Sequence, residues 1–99
     1  MYFFLRLNAP RSTFPADITD EESAVIEQHA AYLASKMPAG KLVVYGPVMD
    51  PKGVFGMAVL EAESEDEVRD LIANDPATKS GLLRYGFFPM RVGAIRDRA

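Results

Sequence analysis

Hydrophobic residues change period along this chain, and the changes mark its elements. Tyr2 to Leu7 is dense in aromatics and leucine and predicts a strand. Asn8 to Ile18 carries Pro10 and Pro15 and predicts a loop. From there Val25, Ile26, His29, Leu33 and Met37 recur at helical spacing, one apolar stripe on a helix that runs to about Met37. Thr19 and Glu22 give that helix a capping box, since the hydroxyl accepts the amide three residues on and the carboxylate reaches back. Pro38 and Gly40 stop it. Leu42 to Tyr45 predicts a short strand closed by Gly46-Pro47, and Asp50-Pro51-Lys52-Gly53 a turn. Phe55 to Glu61 is a third strand. Ser64 and Glu67 form a second capping box, opening a helix that buries Val68, Leu71 and Ile72 and ends at Asp75-Pro76. A helical turn fits within Thr78 to Tyr85. Phe87 to Ile95 is a last strand, and Pro89 within it calls for an edge or a bulge.

The order is βαββαβ. Two right-handed crossovers of this kind give an α+β domain of ferredoxin-like arrangement, a four-stranded antiparallel sheet with two helices on one face. The strands are apolar on both sides, however. Phe55, Met57 and Val59 oppose Ala58 and Leu60; Phe3, Leu5 and Leu7 oppose Tyr2 and Phe4; Phe87 and Ile95 oppose Phe88, Met90 and Val92. A sheet with one wet face would alternate. The uncovered face is therefore expected to pack against a second copy, sheet to sheet, as a homodimer, with cover by loops or the tail as the alternative.

Composition narrows the function. The chain has 99 residues, enough for one domain with a thin core, and 48% of them are hydrophobic. Eleven basic against fourteen acidic residues leave a net charge of −3, which gives no footprint for nucleic acid or an anionic membrane. The C-terminal group Arg91, Arg96 and Arg98 reads as a solvated end. The start, Met1-Tyr2-Phe3-Phe4-Leu5-Arg6, lacks the pattern of a signal peptide, and no apolar run reaches the length of a membrane span. A cytoplasmic location is expected. With no cysteine and one histidine, the chain offers no thiol chemistry, no thiolate metal site and no multi-histidine site within one chain, and a haem would need His29 as its axial ligand.

That histidine is the obvious proton carrier near neutral pH. His29 lies ten residues past its cap Thr19, and Asp75 lies eleven past Ser64. At the rise of an α-helix both sit about 15–17 Å along their helices, so level helix starts bring them together. A carboxylate beside an imidazole fixes its tautomer and makes the other ring nitrogen a base. The structural alternatives are a packed histidine with one hydrogen bond and an aspartate serving only as a turn former. Tyr32 and Tyr45 are candidate hydrogen-bond donors to a phenolic or carbonyl substrate, or amphipathic packing residues. Pro47 and Asp50 flank the turn after the second strand as candidate substrate-binding positions, with Asp50 as a plain turn residue the alternative. The loop Asn8 to Ile18 is either a lid or a solvated spacer.

Glu27-Gln28-His29, then Ala39-Gly40-Lys41-Leu42 and Gly46-Pro47, then Asp75-Pro76 with Gly81 following, resemble the YciI-like (YCII-related) family from Met1 to about Val92. The resemblance implies a single domain over residues 1–99, a ferredoxin-like fold, dimers of the dimeric α+β barrel type, and His29 and Asp75 at the positions of a His–Asp active site. It also implies relationship to cofactor-free enzymes of small aromatic or cyclic metabolites, dehalogenating lyases among them. Two positions depart from the family pattern: Ile26, where many relatives carry a basic residue, and Ala77, where many carry an aromatic. The function expected is a cofactor-free lyase or isomerase step on a small aromatic or cyclic molecule. The alternative is a non-catalytic dimeric module that binds a small ligand or a protein.

Overall fold

The sheet is built on β1 (Tyr2–Asn8), whose alternation decides which side of the molecule is dry. The computed structural model describes residues 1–96; Arg98 of the C-terminal basic group lies outside them. After β1 come α1 (Asp20–Lys36), β2 (Leu42–Val48), β3 (Phe55–Glu61), α2 (Glu65–Ala73), a short α3 (Pro76–Lys79) and β4 (Arg84–Met90). The four strands are antiparallel neighbours in the order β2-β3-β1-β4, the ferredoxin-like topology. Phe3 and Leu5 are fully buried and Leu7 nearly so; their partners across the ladder, Leu60 and Ala58 of β3, are equally dry. Leu33 of α1, Val68 of α2 and Ala77 of α3 close over them in one core. No helix among the described residues is long and apolar enough to cross a membrane.

The first helix begins as its sequence predicts. Thr19 accepts the Glu22 amide and Glu22 accepts the Thr19 amide, a complete capping box. The second cap is only half formed. Ser64 accepts from the Glu67 amide, but the Glu67 carboxylate turns to the Glu63 amide and to Lys41, 2.8 Å away. An ammonium competes better for that carboxylate than one more backbone amide does.

Three boundaries differ from the pattern-based expectation. β2 does not close at Gly46-Pro47 but continues to Val48. Because β2 is an edge strand, paired only with β3, the missing amide of Pro47 costs no ladder bond. β4 starts at Arg84 and ends at Met90, three residues earlier at its start and five at its end than the span Phe87 to Ile95. Its whole length is paired with β1, from Asn8↔Arg84 to Tyr2↔Met90, so it stops where β1 runs out of partners. Pro89 is accommodated because β4 is the other edge. Finally, Met37 caps α1 instead of ending its buried stripe and is 41% exposed.

Among the described residues, no helix covers the second face of the sheet. Phe4 stacks on Phe88 there at 6.5 Å between centroids, and Val44, Phe88 and Met90 are exposed.

Candidate functional site

Asp75 sits where it does because of Pro76. Proline disfavours the α region in the residue before it, and Asp75 is extended, with φ −70° and ψ 127°. That breaks the chain between α2 and α3 and makes Asp75 the N-cap of α3, with proline in the first helical turn. Its Oδ1 accepts the Ala77 amide at 2.9 Å. Its Oδ2 is left facing α1 and β4. There it meets His29 Nδ1 at 2.7 Å and accepts the Tyr85 hydroxyl at 2.5 Å. Asp75 is the one fully buried charged side chain among the described residues, and three donors converge on it.

The electrostatics follow from that convergence. Burial pushes the Asp75 carboxyl up. The hydrogen bonds from His29, Tyr85 and the Ala77 amide, together with the charge His29 carries when protonated, outweigh burial and hold it below the usual carboxylate range. An ionised carboxylate only accepts, so His29 Nδ1 carries the hydrogen in this contact. Nε2 is then the ring nitrogen left for a ligand. Tyr85 is pushed far above an ordinary phenol, by burial first and then by donating to and sitting beside Asp75, so it stays protonated and serves only as a donor to the carboxylate.

His29 forms part of the wall of a cavity of about 290 Å³ between α1, the β2–β3 end of the sheet and the loop 9–18. Gly56 makes that space. It pairs with Leu7, and a Cβ placed on it would lie 3.0 Å from the Leu7 Cβ, so any side chain would fill the floor. Tyr45 and Pro47 line the cavity, with Leu7, Phe14, Ile18, Ile26, Leu33 and Val54 among its apolar walls. Tyr45 and Pro47 face this side because β2 shifts register between Leu42 and Val44. Without the extra residue they would point to the opposite face.

Two other candidate residues are placed elsewhere. Tyr32 does not line the cavity; its hydroxyl donates to the Leu71 carbonyl at 2.6 Å and ties α1 to α2. Burial, then the nearby Asp75 charge, raise its phenol. Asp50 is also outside the cavity, and its carboxylate accepts the Lys52 amide within the turn 50–53.

The loop 9–18 lies against the cavity as one of its walls. Phe14 is buried, and Phe14, Pro15 and Ile18 face the space. Arg11 latches the loop to α1, donating to Asp17 at 2.9 Å and to both oxygens of Glu22 at 2.8 Å. The hydrogen bonds from Arg11 hold the Glu22 carboxyl down to about 2. The residue that caps the histidine's helix thus also anchors the loop over the histidine's cavity.

Tyr85 is the member of the cluster that pattern reading overlooks. A strand starting at Phe87 leaves Tyr85 in a loop, yet counting back two from Phe87 puts it on the same dry face. Tyr85→Phe is expected to cost about 1.5–3 kcal/mol, the usual loss for a hydrogen bond to a charged acceptor. On acidification Tyr85→Phe should lose less stability than the wild type, because without that donor the folded Asp75 carboxyl lies closer to its unfolded value. Circular-dichroism melts from neutral to acidic pH check both; a melting temperature that falls with pH as steeply as the wild type's would mean that Tyr85 does not support the Asp75 charge.

What fold and site define is a ferredoxin-like α+β domain with a buried carboxylate, held by histidine and tyrosine, behind an apolar cavity. The chain belongs to the YCII-related family, whose domain matches residues 1–91. Among solved structures it is similar to 5-chloro-2-hydroxyhydroquinone dehydrochlorinase (TftG) from Burkholderia phenoliruptrix AC1100, determined in complex with 2,5-dihydroxybenzoquinone. The two share 26% identity over 94% of this chain and 96% of that one, with a TM-score of 0.68. No curated protein matches the chain.

Proposed function

We propose that this protein is a lyase- or isomerase-type enzyme acting on a small aromatic or cyclic metabolite, with His29 as general base and acid and Asp75 orienting it. One observation carries the reading: the only histidine is held through Nδ1 by a buried carboxylate while its ring lines an otherwise apolar cavity. The chemistry needs nothing beyond the imidazole. Nε2 takes a proton from a ring hydroxyl or from a carbon beside a carbonyl. The freed electron pair then either moves within the conjugated system, with reprotonation elsewhere, or expels a leaving group as an anion. Positive charge on the imidazole is met by Asp75 as it develops. The similarity to a dehydrochlorinase solved with a dihydroxybenzoquinone supports a ring substrate.

Screening small phenols, quinones and lactones tests this reading. Ligands of the cavity should shift the single imidazole NMR signal, and at least one should be turned over by the wild type but not by His29→Gln. Turnover that survives His29→Gln removes His29 from the chemistry, and ligands that bind with none turned over make the protein a binding module.

The reading includes a homodimer through the open sheet face, where Val44, Phe88 and Met90 are exposed beside the Phe4–Phe88 stack. A contiguous apolar surface of this kind is stable in water when a second copy covers it. Sedimentation equilibrium at micromolar concentration should give twice the chain mass, and Phe88→Glu should give a folded monomer. A wild-type monomer would remove the dimer from the proposal.

A further inference from the structure

The cavity wall says what kind of ring it accepts. Among the described residues that line it, only His29 and Tyr45 have polar side chains, and none is lysine, arginine, aspartate or glutamate. The arginines of the adjoining β1 and loop are committed elsewhere. Arg11 is held by Asp17 and Glu22, and Arg6 lies over the Phe55 ring, 3.7 Å from its centroid, while donating to Asn8. His29 does not supply the missing cation. With Asp75 ionised behind it, the pair is neutral overall when the imidazole is protonated and negative when it is not. Tyr85 and Tyr32, the other titratable groups near that carboxylate, are neutral phenols whose ionisation is pushed upward. The net charge of this cluster near neutral pH is therefore zero or negative, never positive.

We propose that the cavity takes an uncharged single-ring compound, with one hydroxyl or carbonyl edge for His29 and Tyr45 and apolar substituents elsewhere, and rejects ring carboxylates. The inference rests on the cavity being the ligand site of the reading above. A volume of about 290 Å³ holds one ring with small substituents. Each methylene added to the far side of the ring gains roughly fourfold in affinity by leaving water. A carboxylate at the same place loses its hydration and finds no partner.

The discriminating pair is 4-hydroxyacetophenone and 4-hydroxybenzoate, which match in shape and differ in charge at about pH 6.5, where carboxyls are ionised and phenols are not. Calorimetry and the shift of the imidazole signal both read the dissociation constants. The ketone should bind at least about 100-fold tighter, an advantage set by the unpaired charge of its competitor. Ile26→Lys should then reverse or erase the ratio. Ile26 lines the cavity one helical turn before His29 and is only half-buried, so a lysine there can place its ammonium in the space. Its melting curve confirms folding, and Ile26→Gln, polar but neutral, should leave the preference for the ketone in place. Equal binding of the two rings by the wild type, or tighter binding of the carboxylate, overturns this inference alone. Binding of neither ring, at the imidazole or in the calorimeter, overturns the inference and the assignment of the cavity together.

Discussion

Asp75→Asn should leave the protein folded and lower turnover by about 10²- to 10⁴-fold, the range that general acid–base catalysis supplies. The reason lies in who donates to whom. The amide oxygen of asparagine can keep the Ala77 amide that Oδ1 now accepts. Its NH2 group then falls where Oδ2 is, facing His29 Nδ1 and the Tyr85 oxygen. An NH2 group only donates, so the imidazole must accept at Nδ1 and carry its proton on Nε2. The ring stays in place but presents a proton where a base is required. Fixing the wrong tautomer is a recognised way to lose rate without losing geometry. Three measurements check this: turnover, the melting temperature, and the ¹⁵N shifts of the imidazole, which distinguish the two tautomers. Turnover equal to wild type in Asp75→Asn would mean that the pair holds the fold together and does no chemistry.

Asp75→Ala should be the most destabilising single change at the site, costing about 3–5 kcal/mol, the range for breaking a buried charged pair by removing one partner. Alanine orphans the Tyr85 hydroxyl and leaves the Ala77 amide without its cap, both in dry surroundings. For a chain of this size each kcal/mol lowers the melting temperature by about 4–8 °C, so a drop of at least about 12 °C is expected. The same carboxylate sets a pH dependence. Its folded pKa lies below the unfolded value, so its contribution is full above about pH 4, the unfolded aspartate value, and is lost as the pH falls through the folded one. Thermal melts from neutral to strongly acidic pH should show the wild type losing stability below that point. Asp75→Ala should lose less over the same window, since it has no such carboxylate to protonate. Parallel curves for the two proteins would show that Asp75 is not ionised in the folded state.

Counting residues from the two helix caps brings His29 and Asp75 together and sets Asp75 at the far end of the second helix. It stands instead one step beyond, extended before Pro76 and capping α3. Proline chemistry fixes that locally, which is why Asp75 was legible. Tyr85 was not, because its place depends on where β4 begins. Nothing near Arg84 marks a strand start; pairing with Asn8 of β1 does. The sequence offers Tyr45 and Pro47 as ligand positions beside a closing turn. They reach the cavity wall because β2 continues past Gly46 and shifts register after Leu42. Tyr32 sits on the right helix, yet a backbone carbonyl on α2 takes its hydroxyl.

By itself the sequence determined what is local in cause. Periodicity set the helices and strands, Thr19 and Glu22 started α1, Pro76 bent the chain at Asp75, and the βαββαβ order left one sheet topology open. These depend on interactions within a few residues, or on chirality that every L-chain shares. Tertiary structure alone decided the cavity and the third partner of the carboxylate. Both depend on distant segments meeting: Gly56 against Leu7, Tyr85 against Asp75, and the loop held by Arg11 to Glu22. Such contacts are set by strand register, and a shift of one residue reverses every side chain. The sequence pattern does not encode that register at short range.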